Sequence, residues 1–135
     1  MVKSVITFIL SLMLYFPISY AQTDNNETLS QEISNLSPIM IIRFNNERPI
    51  DFSSSTKKMI NFALKNNPYT QFIILSILND KESMRKTYED TLLISSVQNI
   101  INIMTTEGVT RNNIHTFTQV QNSPSEPNEI RIFVK

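Results

Sequence analysis

Short β-branched runs alternate with segments of helical periodicity in the part of the chain that follows Pro38. Apolar runs of about four to eight residues favour strands, whereas apolar residues recurring every three or four positions favour amphipathic helices. We predict strands at Ile39–Phe44, Phe72–Leu78, Ile114–Val120 and Ile130–Val134. With a helix after each of the first two strands, the order is β-α-β-α-β-β. That order contains two strand-helix-strand crossovers, and it predicts an α+β two-layer sandwich: a mixed four-stranded sheet with both helices on one face.

The first predicted helix begins at the serines of Ser53–Ser55, which are favourable N-cap residues. It should end at Asn66-Asn67, because Pro68 disfavours helical geometry in the residue before it. Its apolar face is expected to comprise Met59, Ile60, Phe62, Ala63 and Leu64.

The second helix is predicted over Tyr88–Thr106, and Asn79–Thr87 is predicted to be a charged loop. Glu89 and Asp90 should lie in its first turn, where the helix dipole favours acidic side chains. Gly108, the only glycine, should end the helix at a position that needs a positive φ. One apolar face of this helix is expected to pack on the sheet, through Leu93, Val97, Ile100 and Met104. Phe62, Ile74 and Leu75 are expected to share that core.

The amino-acid composition excludes several kinds of functional site. Without Cys the chain has no disulfide, thiolate metal site or Cys nucleophile, and one His excludes His-pair zinc sites. A single Gly excludes glycine-rich phosphate loops. Lys+Arg 12 against Asp+Glu 12 argues against charge-driven binding of nucleic acid. His115 has no recognisable catalytic partner, so we expect a non-enzymatic protein with no metal and no cofactor.

The N-terminus has the pattern of a Sec signal peptide. Lys3 supplies the positive charge, Val5–Phe16 is apolar, and Ser19-Tyr20-Ala21 is a small-x-small cleavage site. We therefore predict a signal peptide at 1–21, a flexible polar leader at 22–37, one domain at 38–135, and a periplasmic location. The alternative is an uncut membrane anchor, although the apolar run is shorter than the ~20 residues that span a bilayer. No transmembrane segment is expected after cleavage.

Four stretches together resemble a known family: IIRFNNERPI, FALKNNPYTQFIILSI, TYEDTLLISSVQNIINIMTTEGVTRNNIHTF and NEIRIFV. They are similar to the first strand and turn, the first helix and central strand, the long helix, and the closing strand of the OmpA-like C-terminal domain of Gram-negative envelope proteins. The resemblance covers 38–135. It implies the OmpA-like fold, a cell-envelope location near the outer membrane or cell wall, and peptidoglycan as the family's usual non-covalent ligand.

The resemblance also implies a ligand pocket that has lost its charged clamp. Members of the family bind the diaminopimelate of the stem peptide between an Asp after the second strand and an Arg in the second helix. Laid on this sequence, the Asp position falls on Lys81, with Asp80 adjacent, and the Arg position falls on Ser96. An Asn near the helix start falls on Glu89, and a Leu falls on Leu92.

Two interpretations of the charged loop remain open. Asp80 with Arg85 could replace the missing clamp, or the loop is a solvated stretch of alternating charges. Two functions also remain open. One is an interaction subunit of an envelope assembly, such as a secretion or conjugation apparatus, in which peptidoglycan binding is weak or lost. The other is an envelope-anchoring module that binds peptidoglycan through an altered pocket.

Overall fold

The computed structural model describes residues 31–44, 51–80, 84–123 and 125–135, and within 84–89 it describes the backbone alone. The predicted signal peptide, most of the leader and the Asn-rich turn at 45–49 lie outside these ranges. The described part of the chain divides into two units, residues 31–36 and Ser37–Lys135. In the first unit, residues 31–34 form a short helical segment, and the Leu36 N–H donates to the Ile33 carbonyl at 3.0 Å. Within the described ranges, no helix is long and apolar enough to cross a membrane.

A mixed four-stranded sheet organises the second unit. Its strands are β1 (Met40–Phe44), β2 (Phe72–Asn79), β3 (Ile114–Gln121) and β4 (Asn128–Val134), in the order β1-β4-β2-β3. β4 is antiparallel to both β1 and β2, whereas β2 and β3 are parallel. The strand predicted to be central, β2, is interior, and almost all of its side chains are buried. This sheet and its two helices confirm the predicted α+β fold class.

The helices are α1 (Ser53–Asn66) and α2 (Met84–Thr106), and a short 3₁₀ helix, Arg111–Asn113, leads into β3. Alternate side chains of the strands meet both helices in one core. The sheet contributes Ile42, Phe44, Phe72, Ile74, Ile130 and Ile132, and the helices contribute Ile60, Ala63, Leu93, Ile100 and Met104. Each fully buried aliphatic side chain of this kind contributes roughly 1.5–3 kcal/mol to stability. Val97 is only partly buried but packs against this core, as predicted.

Two residues of the predicted core lie elsewhere. Phe62 is 72% exposed, because it is two residues from Ile60 and therefore about 200° around the helix from the buried face. Leu75 is buried, but it points to the sheet face opposite Ile74, since side chains alternate along a strand. Ile73, Ile77 and Phe133 are buried on that second face too.

The second helix begins earlier than predicted. It starts at Met84 and not at Tyr88, so the segment predicted to be a charged loop contributes a helical turn. Met, Arg and Lys are good helix formers, and this propensity outweighs their charged, loop-like appearance. The prediction that Glu89 and Asp90 occupy the first turn is therefore wrong, and that turn contains no acidic residue.

The start of α1 also differs from the prediction. The N-cap is Phe52, whose side chain makes no capping bond, so the serines lie inside the helix. The Ser53 N–H donates to Asp51 Oδ1 at 3.2 Å, so a carboxylate two residues upstream satisfies one of the orphan donors. The end is as predicted: the last helical residue is Asn66, directly before Asn67-Pro68.

Gly108 ends α2 in the predicted conformation, with φ of +103°. The Val109 N–H donates to the Met104 carbonyl at 2.9 Å, and the Gly108 N–H donates to the Thr105 carbonyl at 3.2 Å. These are the paired hydrogen bonds of a Schellman C-cap. The cap turns the chain toward β3 and seats Val109 in the core.

Candidate functional site

The residues predicted to bind ligand lie at the carboxyl end of β2 and in the first half of α2. Asp80 directly follows β2, is exposed, and donates its N–H to the Gln121 carbonyl at 2.9 Å. Lys81 lies outside the described residues. Arg85 and Glu89 belong to α2, but their side chains are outside the described part. The Asp80–Arg85 replacement clamp therefore stays a prediction.

Ser96, which the family resemblance aligns with the clamp Arg, is buried. Its exposed fraction is 6%, and it shares the core-facing side of α2 with Leu93 and Ile100, three residues before and four residues after it. Leu92, one residue before Leu93, is partly buried and packs against the core. Ser95 is exposed, and its hydroxyl donates back to the Leu92 carbonyl at 3.0 Å. The helix thus carries a small, neutral and buried side chain at this position.

A buried asparagine pair, which sequence analysis did not single out, ties the site together. Asn128 is 1% exposed, and its Oδ1 accepts the backbone N–H of Asn79 at 2.8 Å. Its Nδ2 donates to Asp90 Oδ1 at 3.3 Å. One side chain at the start of β4 therefore joins the end of β2 to α2. The only signal in the sequence is the position of the two residues: Asn79 directly follows one predicted apolar strand, and Asn128 lies just before another.

The second asparagine of the pair leaves one acceptor without a partner. Asn79 is 2% exposed, and its Nδ2 donates to the Pro127 carbonyl at 2.6 Å. Its Oδ1 is the one buried side-chain polar atom in the described part of the chain for which no hydrogen-bond partner is found. Native proteins rarely leave such an atom without a water or a ligand.

A polar cavity of about 440 Å³ lies beside Asn79, on the sheet face opposite the helices. Its charged wall centres on Glu129, which is 7% exposed. Arg43 Nε lies 3.3 Å from Glu129 Oε2, and Arg131 donates to Glu129 Oε1. The buried carboxylate is thus compensated by two partly exposed guanidinium groups, as a buried charge must be. Gln121, Glu126, Pro127 and Ile77 complete the lining.

A larger groove of about 790 Å³ lies at the other end of β2. It is mostly apolar and runs between α1 and the sheet, with Phe62, Met59 and Val134 among its walls. The family-pocket residues whose side chains the structure describes, Asp80, Leu92 and Ser96, line neither this groove nor the polar cavity. The cavity beside Asn79 is the better candidate for a polar ligand because its lining is polar and charged.

No protein-family model matches the sequence, and no curated protein is detectably similar to it in sequence. Among solved structures, the periplasmic domain of Helicobacter pylori MotB is similar, with 12% identity over 69% of each chain and a TM-score of 0.51. The OmpA-like domain of FopA1 from Francisella tularensis subsp. tularensis SCHU S4 has 12% identity over 70% of each chain and a TM-score of 0.47, which is too low to support an argument. Identities this low establish a fold and not an activity. With the sheet order and crossovers described above, the likeness shows that this chain has the fold of an OmpA-like domain.

Proposed function

We propose that this protein is a non-enzymatic, envelope-associated module that acts as an interaction subunit and binds peptidoglycan weakly or not at all. The observation that carries the proposal is Ser96, a buried neutral side chain at the helix position where the family's pocket needs a cation. A diaminopimelate group carries both an ammonium and a carboxylate, so it needs an anionic and a cationic partner at a fixed separation.

The expected loss of affinity follows from the hydrogen bonds that remain. Charge-assisted hydrogen bonds contribute roughly 1.5–3 kcal/mol, against about 1 kcal/mol for a neutral one. The difference of about 0.5–2 kcal/mol means that a serine in place of an arginine lowers the affinity by roughly 2- to 30-fold. Lys81 at the Asp position would repel the ligand's ammonium as well.

Location and partners belong to the same proposal. The signal-peptide pattern at 1–21 supports Sec export to the periplasm, with the domain at 38–135 free to contact other envelope proteins. A secretion or conjugation apparatus is the kind of assembly in which such a subunit would serve. Amino-terminal sequencing of the exported protein should begin at Gln22, and recovery of intact Met1 in a membrane fraction would contradict this part of the proposal.

Co-sedimentation with purified Gram-negative sacculi at about 0.15 M salt tests the proposal. We expect the purified protein to stay in the supernatant, while an OmpA-like domain that retains the Asp and Arg sediments as the positive control. Strong sedimentation that is abolished by Asp80→Ala would contradict the proposal. Glu107→Ala is the matched control, because it removes a carboxylate beyond the far end of α2.

A gain-of-function pair sharpens the test. Ser96→Arg combined with Lys81→Asp restores both charges of the clamp, whereas Ser96→Met combined with Lys81→Asp adds a long side chain without the charge. We expect only the arginine variant to gain sedimentation. Because Ser96 is buried, thermal unfolding must first show that both variants are folded.

The alternative function, an anchoring module that binds peptidoglycan through an altered pocket, is favoured by one observation. Asn79 Oδ1 is a buried acceptor with no partner found, and it stands next to exposed Asp80 and beside a polar cavity. An amide or ammonium donor of a stem peptide could use that acceptor. Sedimentation lost on Asp80→Ala and on Asn79→Ser would support this alternative.

A further inference from the structure

Among the described strands, β3 lies at one edge of the sheet. It pairs with β2 on one side, and no described strand lies on the other. Its sequence, IHTFTQVQ, contains no Asp, Glu, Lys, Arg, Pro or Gly over eight residues. In natural sheets an edge strand is usually protected from pairing with another chain by charged side chains, a proline, a β-bulge or a short strand length. The opposite edge strand, β1, is five residues long and carries Arg43.

The outward backbone groups of β3 can be assigned from one hydrogen bond. Asp80 N–H donates to the Gln121 carbonyl, so the backbone of Gln121 points toward β2. The backbone N–H and C=O groups of successive residues point to opposite sides of a strand. The N–H and C=O groups directed to the free edge are therefore those of Ile114, Thr116, Thr118 and Val120.

These groups match a second copy of the same strand. When two β3 strands run antiparallel about a two-fold axis at Phe117, Phe117 lies opposite Phe117, Thr116 opposite Thr118, and Ile114 opposite Val120. Every outward N–H group then meets an outward carbonyl, because the outward residues pair only with one another. Aromatic, Thr–Thr and β-branched cross-strand pairs are the favourable kinds, and no like charges face each other.

The helix layer leaves room for this pairing. A two-fold axis perpendicular to the sheet keeps both sets of helices on the same side. The helix-facing side chains of β3 near the axis, Thr116 and Thr118, are exposed, and Val120 is 69% exposed. The helices therefore do not overhang the edge that a second copy would occupy.

We propose that two copies of this protein associate through their β3 edges, antiparallel about an axis at Phe117, and join their sheets into one continuous sheet. The inference is independent of peptidoglycan binding. A single strand pair buries less than the roughly 1,200–2,000 Å² of a standard stable interface. We therefore expect a weak, reversible dimer, which a high local concentration in an assembly would favour.

Single-cysteine variants of the full chain test the register, because the protein has no native Cys. Two copies of Phe117→Cys would face each other in a non-hydrogen-bonded pair about 4.5 Å apart at Cα, which is within disulfide range. Gln119→Cys is the matched control on the same face of the same strand. Its two copies would be offset by four residues, roughly 13 Å, which is beyond that range.

Mild oxidation should cross-link Phe117→Cys at least tenfold faster than Gln119→Cys. Adding Thr118→Pro to Phe117→Cys should abolish the cross-link, because it removes an edge-directed N–H that the sheet itself does not use. Thr118→Ala, which keeps that N–H, should leave the cross-link intact. Thermal unfolding of each variant shows that it is folded. Sedimentation equilibrium of the unmodified protein should show a concentration-dependent dimer. Equal cross-linking at both positions, or a monomer at the highest soluble concentration, would overturn the proposal.

Discussion

Replacing Asn128 by alanine should destabilise the domain more than any surface asparagine would. The side chain is 1% exposed, accepts the Asn79 N–H at 2.8 Å and donates to Asp90 Oδ1 at 3.3 Å. Truncation removes both bonds and leaves the Asn79 N–H buried without an acceptor. A buried donor left unsatisfied costs about 1–3 kcal/mol, and the longer bond to half-exposed Asp90 adds about 0.5–1 kcal/mol.

We therefore expect the free energy of unfolding to fall by about 1.5–4 kcal/mol in Asn128→Ala. That is a large part of the roughly 5–15 kcal/mol by which a small domain is stable. Equilibrium unfolding in urea measures the change, and the thermal midpoint should fall by about 4–8 °C per kcal/mol for a domain of this size. The matched control is Asn102→Ala, an exposed asparagine that accepts one bond from Gln98, for which we expect a change within about 0.5 kcal/mol.

A double-mutant cycle separates the two bonds. Asp90→Ala removes the bond between Asn128 Nδ2 and the carboxylate but leaves the bond to the Asn79 N–H, so the pair of mutations should show a coupling of about 0.5–1 kcal/mol. The reasoning fails if Asn128→Ala lowers the free energy of unfolding by less than Asn102→Ala does. In that case the asparagine would not be the link between β2, β4 and α2.

The remaining predictions concern the core, the cap and the surface. Ile100 is 0% exposed, so Ile100→Ala should lower the free energy of unfolding by about 2–5 kcal/mol. Ile94 is 65% exposed, so Ile94→Ala should change it by less than about 1 kcal/mol. Equal effects of the two substitutions in urea unfolding would show that the helix register is wrong. Gly108→Ala should lower the free energy of unfolding by about 1–2 kcal/mol. The cost comes from the positive φ alone, because nothing lies within 4 Å of the added Cβ. An unchanged thermal midpoint would contradict the C-cap conformation. Phe62→Ser should change stability by less than about 0.5 kcal/mol, and a larger loss in urea would place Phe62 in the core.

The fold could be predicted because its signals are local. β2 is apolar at nearly every position, Pro68 marks the end of α1, and the only glycine marks the end of α2. Each of these features acts within a few residues, so it can be recognised from a short stretch of the sequence. The errors arose where a local signal was ambiguous. Met84-Arg85-Lys86 is charged like a loop but has good helix propensity, and Phe62 is apolar but lies off the buried face.

The buried asparagine pair of the candidate site could not be predicted, because its two residues are far apart in sequence. Asn79 and Asn128 are 49 positions apart, and they meet only because β4 returns antiparallel to lie between β1 and β2. Neither asparagine stands out in an Asn-rich chain. The family resemblance instead pointed to Asp80, Lys81 and Ser96, and the part of these residues in ligand binding stays a prediction. Burial of Ser96 follows from its place between Leu93 and Ile100 on α2. The same helical period that packs α2 on the sheet therefore turns this position inward, where a small neutral serine is stable.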